Sequence, residues 1–221
     1  MRNVLDYAKY FMKNATGLDK SFDGNMKLQK LLVFSNLVNM ALNKKPLFKE
    51  QLYAFRNGCI VDSVRRKYRN DYLGLKKESE SFEPNFSECE LETLEITLNI
   101  FDKLSAKELS DLNHEFDFWK DSYVDGKNYC IVSDNSIKKE LPIIKNMIDS
   151  YKNRDKNKKI EVINGITFYY DPDNLNIYGN FIIDNKSYNI IDELYDFTLS
   201  DELDENCYSV YLDEFGELVI F

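Results

Sequence analysis

The chain has 221 residues, of which 43% are hydrophobic and 14% aromatic, and its net charge is −9. This apolar content excludes a disordered chain, because disorder combines low hydrophobicity with high charge. No apolar run approaches the roughly 18 residues of a membrane span, and no signal-peptide core follows the first residues, so we expect a cytoplasmic protein without a membrane partner. With one histidine and eight glycines, the composition predicts no metal site, no cofactor and no catalytic signature.

Charge is distributed unevenly along the chain. Residues 1–155 carry 25 basic and 24 acidic side chains, whereas residues 156–221 carry 4 basic and 14 acidic ones. The change falls in a polar, mostly basic run after Tyr151. We therefore predict a nearly neutral domain over residues 1–150, a linker over 151–159 and an acidic domain over 160–221.

Apolar residues of the first part recur at helical spacing. Residues 4–12 predict a first helix that ends at Gly17, and residues 28–42 predict a second helix that is closed by the loop at Pro46. These two segments indicate that the first domain is mainly helical.

The starts of three later helices are also marked in the sequence. Ser87–Glu90 and Ser105–Glu108 each have the pattern of a capping box, in which a serine and a glutamate satisfy the first backbone amides of a helix. Pro142 is typical of the first helical position, so we predict that a last helix begins there.

After residue 159 the apolar period drops to two. Two apolar runs flank Asn164-Gly165, which predicts a β-hairpin with a type I′ turn. Further strands are predicted at Leu175–Ile183, at Cys207–Leu212 and at the end of the chain, and a short helix at residues 190–199. The predicted fold class is α+β, with an N-terminal mainly helical domain followed by a small β-rich acidic domain.

Three segments of the helical part resemble, in order, the motifs of a known family. They are MKLQKLLVF with ALNKKPLF (residues 26–34 and 41–48), YAFRNGCIV (residues 53–61), and LSAKELSDLNH with a following WK (residues 104–120). They are similar to LKLQKLLYF with ALxGKPLF, to EAWxxGPVV, and to LSAxELxxLTH with WK in the Panacea domain family. That family is also called the SocA-like antitoxin domain, and earlier the phage-associated GepA family. The resemblance covers about residues 1–150.

The resemblance implies a binding protein whose partner is a cognate toxin. Members of the family bind and neutralise very different toxins, and SocA itself is an adaptor that delivers its toxin to the ClpXP protease. Three departures from the family pattern are visible. The proline after the motif glycine is Cys59 here, which predicts a looser turn; the threonine before the motif histidine is Asn113; and Tyr-Phe-Ala is Val33-Phe34-Ser35.

The candidate partner-binding residues lie in and after the second motif and in the third. A basic cluster follows the Asn57-Gly58 turn, on a helix for which Asp62 is the predicted cap. These cations, with Lys27, Gln29 and Lys30 beside the apolar stripe of the second helix, either contact an acidic partner or form solvated helix faces. The near-zero net charge of the domain argues against direct contact with nucleic acid. The predicted set is Arg56, Asn57, Gly58, Arg65, Arg66, Arg69, His114 and Trp119, with Lys67 in the same basic cluster.

Two of these residues have alternative interpretations. His114 could act as a general base, or it could form a helix-end hydrogen bond that fixes the loop before Trp119. A zinc-protease helix is excluded because Phe118 stands where the second histidine is needed. Trp119 is either a core anchor or an interface hot spot. The four cysteines are scattered singly and are expected to be reduced thiols.

Four functional hypotheses follow. The first is an antitoxin that neutralises its toxin by direct contact, and the second is a proteolytic adaptor that tethers a target to a ClpXP-type protease. The third is an enzyme that uses His114. The fourth is a phage anti-defence protein whose acidic domain mimics DNA. The acidic domain could instead meet a basic toxin surface or serve solubility alone.

Overall fold

In this computed structural model, the described residues are 2–127, 129–154, 158–184, 186–200, 203 and 205–221. They form a helical region followed by a strand-rich region, which confirms the α+β class. The chain divides into two compact units, residues 1–149 and 150–221. No helix among the described residues is long and apolar enough to cross a membrane.

The first unit consists of helices and one small sheet. Its elements are α1 (Val4–Asn14), α2 (Phe22–Asn43), β1 (Leu52–Phe55), β2 (Gly58–Val61), α3 (Asp62–Asn70), α4 (Tyr72–Glu80), α5 (Glu88–Phe101), α6 (Ala106–Glu115), α7 (Asp117–Lys120), β3 (Cys130–Ile131) and α8 (Asp134–Arg154), which continues past the boundary.

Helix α2 is the centre of the first unit. It packs against α1, α5, α6 and β2, and every residue from Lys27 to Ala41 is buried. A helix that is covered on all sides needs side chains that fill space in every direction. Phe34 does so by stacking on Phe101, with the ring centroids 4.4 Å apart.

Both predicted capping boxes are confirmed. Ser87 and Glu90 satisfy each other's backbone amides at the start of α5, and Ser105 and Glu108 do the same at the start of α6. The first helix ends at Asn14 rather than at Gly17. Gly17 lies in the following turn with a positive φ of 67°.

The predicted start of the last helix is wrong. Pro142 lies inside α8, which begins at Asp134. The amide of Ser136 donates to the Ser133 hydroxyl (3.1 Å) and so caps the earlier start. Glu140 then fixes the first half of the helix, because its carboxylate accepts a hydrogen bond of 2.7 Å from the backbone amide of Asp117.

The small sheet of the first unit has the order β2-β1-β3, and both pairings are antiparallel. Strands β1 and β2 are joined by a tight turn at Arg56-Asn57. Gly58, the first residue of β2, has a φ of +88°. This hairpin is packed on α2 and α6.

The second unit consists of β4 (Lys159–Ile163), β5 (Ile166–Tyr170), β6 (Asn180–Ile183), β7 (Lys186–Asn189), α9 (Ile190–Phe197), β8 (Cys207–Leu212) and β9 (Leu218–Ile220). A four-stranded sheet has the order β4-β5-β8-β9, with β5 and β8 parallel, and β6 pairs with β7 separately. Asn164 and Gly165 have φ values of 50° and 83°, as a type I′ turn requires.

The predicted strand at Leu175–Ile183 is only partly correct, because β6 covers Asn180–Ile183 alone. The Asp171 carboxylate accepts a hydrogen bond from the amide of Asp173, which starts a turn. Leu175 and Ile177 are nevertheless buried in the core of this unit. Their alternation therefore marks loop side chains that reach the core, which a period of two cannot distinguish from a strand.

The segment predicted as a linker, residues 151–159, overlaps regular structure at both ends. Helix α8 continues through Arg154, and Lys159 begins β4. Residues 155–157 of that prediction lie outside the described residues.

Candidate functional site

Lys27, Gln29 and Lys30 of α2 are buried, so their interpretation as a solvated helix face is wrong. Their exposed fractions are 5%, 2% and 0%, which excludes a solvated face, although Gln29 and Lys30 line the pocket described below. The Lys27 ammonium forms an ion pair of 3.2 Å with Asp102 and donates to the Thr16 hydroxyl (3.3 Å). It thereby holds the α1–α2 connection against the end of α5.

Gln29 and Lys30 bind the backbone of β2. The amide of Val61 donates to Gln29 Oε1 at 2.9 Å, and Lys30 Nζ donates to the carbonyl of Cys59 at 2.9 Å. Burial of the Lys30 ammonium lowers its pKa to about 8, because desolvation disfavours the charged form. These two side chains therefore fix β2 from the side of α2.

Residues of the third motif fix the same hairpin from the other side. Ser110 donates to the carbonyl of Asn57 (3.1 Å), the Cys59 amide donates to Asn113 Oδ1 (2.6 Å), and Trp119 Nε1 donates to the carbonyl of Phe55 (2.8 Å). Side chains of α2, α6 and α7 thus hold the backbone of residues 55–59. We call these residues the clamped turn.

His114 belongs to the same support. Its imidazole donates a hydrogen bond to the backbone of Arg56 and packs on Trp119, with the ring centroids 4.0 Å apart. The predicted helix-end hydrogen bond therefore reaches the clamped turn and not the loop before Trp119. Burial and the nearby Lys30 charge lower the pKa of the imidazole. Among the described residues, Nε2 of His114 has no hydrogen-bond partner.

Only glycine fits at position 58. A Cβ on Gly58 would lie 2.5 Å from Asn113 Oδ1 and 2.7 Å from Lys30 Nζ, and its φ of +88° also favours glycine. The predicted loosening by Cys59 is wrong, because its amide, which a proline would lack, donates to Asn113. Two departures from the family pattern, Cys59 and Asn113, thus contact each other. Burial raises the pKa of the Cys59 thiol to about 12.

Two side chains of the clamped turn are exposed although its backbone is held from both sides. Arg56 and Asn57 are exposed. Half-buried Trp119 acts as an anchor below them, and its ring stacks on Tyr123 with centroids 4.9 Å apart. The result is a turn with a fixed backbone and two exposed polar side chains.

Helix α3 carries the other predicted cations. Asp62 is the first residue of this helix and not its cap, and its carboxylate pairs with Arg65 and Arg66, each at 2.7 Å. Both guanidinium groups also donate to the Tyr129 hydroxyl, at 3.3 and 3.1 Å. Lys67 pairs with Asp71 and Glu78. Arg69 is exposed and has no ion-pair partner among the described residues.

A pocket of about 530 Å³ lies between the N-terminal turns of α2, the clamped turn and α3. Five of the eight predicted site residues line it, whereas Arg66, His114 and Trp119 do not. The pocket thus brings the basic cluster and the turn together on one face. Those five are Arg56, Asn57, Gly58, Arg65 and Arg69.

Sequence reasoning missed several residues of this site. Phe22 and Tyr68 line the pocket, and Ser110 and Asn113 support the turn. Lys30 was considered as a partner contact, but its burial was not predicted. A usable signal existed for Lys30, because a charged residue inside an otherwise apolar helical run is buried only when it is paired or hydrogen-bonded. The described residues contain no group of three or more His, Cys, Asp or Glu side chains that could hold a metal ion. All four cysteines are free.

The arrangement defines a helical domain that holds a rigid turn beside a basic pocket. Residues 28–120 match the family model described as "Antitoxin SocA-like, Panacea domain". This segment is therefore similar to SocA-like Panacea domains, and the match confirms the resemblance of the three motifs over residues 28–120. It supports a general antitoxin role and a protein partner. Comparison of the chain with curated proteins and with solved structures finds no match.

Proposed function

We propose that this protein is the antitoxin of a toxin–antitoxin pair and neutralises its toxin by direct contact. The observation that carries the proposal is the clamped turn within the matched segment. Its backbone is fixed by side chains from three helices, yet Arg56 and Asn57 remain exposed. A surface that is already rigid loses little conformational entropy on binding, which favours affinity for a partner.

In this proposal the predicted site residues have two kinds of role. Arg56, Asn57, Arg65, Arg66 and Arg69 contact the toxin. Gly58, His114 and Trp119 act as positioning residues that hold the turn in its binding conformation. Neither role requires a bond to be made or broken, so the proposed activity is binding and not catalysis.

The acidic unit adds electrostatic selectivity. Residues 156–221 carry 4 basic and 14 acidic side chains, whereas the pocket face is basic. Such a chain attracts a partner that has both a basic and an acidic surface, because complementary charge raises the association rate and penalises wrong partners.

Co-expression with the neighbouring open reading frame tests the proposal. We expect the neighbouring product to arrest growth alone, to be harmless with this protein, and to co-purify with it. A neighbour that is harmless alone, or a toxin that is neutralised without any complex, would contradict direct neutralisation.

The adaptor mechanism is separated from simple neutralisation by the half-life of the toxin. Neutralisation by contact leaves that half-life unchanged in cells that contain the antitoxin, and it persists in cells that lack ClpXP. A half-life that shortens only when both this protein and the protease are present would assign the adaptor mechanism instead.

A further inference from the structure

We propose that the pocket beside the clamped turn receives an acidic segment of the partner toxin in which an apolar side chain stands next to carboxylates. The proposal deepens the function proposed above and depends on it for the identity of the partner. It rests on the cavity, on its apolar walls and on the charges that surround it.

The walls of the pocket suit an apolar side chain. Met26, Phe55, Ile60 and Tyr68 line it, together with Phe22. Phe22 is the first residue of α2 and is 69% exposed, although an aromatic ring of this size gains free energy when it is buried. An apolar cavity with a few converging polar groups is the usual form of a ligand site, and Phe22 extends its apolar wall to the surface.

The charges around the pocket suit carboxylates. Lys20, Lys30, Arg56, Arg65 and Arg69 all line it, and among the described lining residues none is acidic. Asp62 already compensates Arg65. In the part of the chain that the structure describes, Lys20, Arg56 and Arg69 have no ion-pair partner, and neither has the fully buried Lys30. Incoming carboxylates would supply the missing counter-charge.

The distribution of these cations favours a protein segment as the occupant. Lys20 precedes α2, Arg56 lies on the clamped turn and Arg69 lies near the end of α3. Charges on three separate parts of the chain match a ligand that carries more than one separated anion. A volume of about 530 Å³ accepts a bulky side chain with its neighbours, and it also lies in the range of small-molecule sites. The test therefore includes a small organic anion.

The experiment titrates the full chain with short peptides and observes arginine side-chain signals by NMR. The chain has six arginines, and Arg2 serves as the internal control because its guanidinium contacts Glu90 and Asn85 away from the pocket. The first probe is a blocked peptide with the core Glu-Phe-Asp. The control probes have Gln-Phe-Asn or Glu-Ala-Asp in its place, and ATP is the small organic anion.

We expect the Glu-Phe-Asp peptide to shift the Nε–Hε signals of Arg56, Arg65 and Arg69 but not that of Arg2. We expect both control peptides to bind at least tenfold more weakly. Equal binding of the Gln-Phe-Asn peptide, or no shift at millimolar peptide, would overturn the proposal. Saturation by ATP without saturation by the peptide would assign the pocket to a small organic anion and would also overturn it.

Matched variants connect the pocket to the toxin. Phe22→Ser is compared with Leu73→Ser, because both side chains are 69% exposed and Leu73 does not line the pocket. Arg69→Glu is compared with Lys145→Glu on α8. We expect the two pocket variants to weaken toxin binding at least tenfold and the two control variants to leave it unchanged. Full toxin binding by both pocket variants would refute the pocket proposal while leaving neutralisation intact, and absence of any toxin would refute the proposed function instead.

Discussion

Helices α2 and α3 both carry basic residues, but Lys27 and Lys30 of α2 are buried, whereas Arg66 and Arg69 of α3 are exposed. The buried ammonium groups bind protein atoms. Lys30 fixes the clamped turn, Lys27 holds the α1–α2 connection against α5, and the exposed cations lie beside the turn. A basic residue in this domain is therefore either part of the support or part of the surface.

The difference has a physical origin in the neighbours of each helix. Helix α2 is covered on all sides, so each polar side chain in it must find a partner or leave an uncompensated polar group in the core. Helix α3 packs through Val64 and Tyr68 and leaves its other faces to water. The supporting residues should thus control stability, and the surface residues should control binding.

Gly58→Ala gives the largest expected loss of stability. The new Cβ would collide with Asn113 and Lys30, so we expect a loss of about 3 kcal/mol or more in the free energy of unfolding. Gly126→Ala is the matched control, because Gly126 also has a positive φ (+72°) but has open space around it. That variant should lose only about 1 kcal/mol, measured by urea unfolding. Similar losses in the two variants would show that the contacts of Gly58 are unimportant.

Cys59→Pro tests whether Cys59 and Asn113, two residues that differ from the family pattern, are energetically coupled. Proline removes the amide that donates to Asn113, and a buried acceptor without a donor costs about 2 kcal/mol. Asn113→Thr restores the family residue, so the double variant should lose about 1 kcal/mol less than the sum of the two single losses. Strict additivity in this double-mutant cycle would contradict the coupling.

Lys30→Met tests whether burial of the charged Lys30 ammonium lowers the stability of the folded chain. The folded pKa of Lys30 is about 8 against an ordinary 10.5, so above pH 8 the unfolded chain holds a proton that the folded chain has lost. Stability therefore rises with pH, until unfolded Cys59 begins to lose its proton near pH 9 and opposes the rise.

The wild-type protein should consequently gain about 1 kcal/mol between pH 8 and pH 9 relative to the Lys30→Met variant. Methionine has a similar shape and no charge, but it leaves the Cys59 carbonyl without its donor, so the pH dependence and not the stability at one pH decides the test. Denaturant unfolding at the two pH values provides the measurement. An unchanged pH difference between the two proteins would mean that Lys30 keeps an ordinary pKa.

Arg69→Ala gives the smallest expected change in stability. Its side chain is exposed and forms no ion pair within the described residues, so the free energy of unfolding should change by less than about 0.5 kcal/mol. Toxin affinity should nevertheless fall. A large loss of stability, observed as a lower thermal midpoint, would show that Arg69 helps to hold the fold and is not only a surface residue.

Local patterns predicted much of the fold. The capping boxes, the Asn164-Gly165 hairpin and the strand at Cys207–Leu212 depend on interactions between near neighbours, so the sequence alone indicates them. The start of α8 and the loop around Leu175 were missed, because a distant contact of Glu140 and burial in a common core decided them. The parallel pairing of β5 with β8 was missed for the same reason.

The candidate site was predicted in part. The exposed basic residues Arg56, Arg66 and Arg69 were recognised because charge clusters are visible in sequence. The support was not recognised, because the burial of Lys30 and its bond to Cys59 arise only when α2 and β2 pack together. Spacing along one helix cannot show which polar side chain faces a neighbouring strand.

The most direct test of the account is toxin neutralisation by an antitoxin with Arg56→Glu and Arg69→Glu together. The control carries Lys138→Glu and Lys145→Glu, which make the same change in net charge on exposed residues of α8. We predict that both proteins keep the thermal midpoint of the wild type, that the control still rescues growth, and that the Arg56/Arg69 variant neither rescues growth nor co-purifies with the toxin. Full rescue by a folded Arg56/Arg69 variant would contradict the claim that this surface binds the partner.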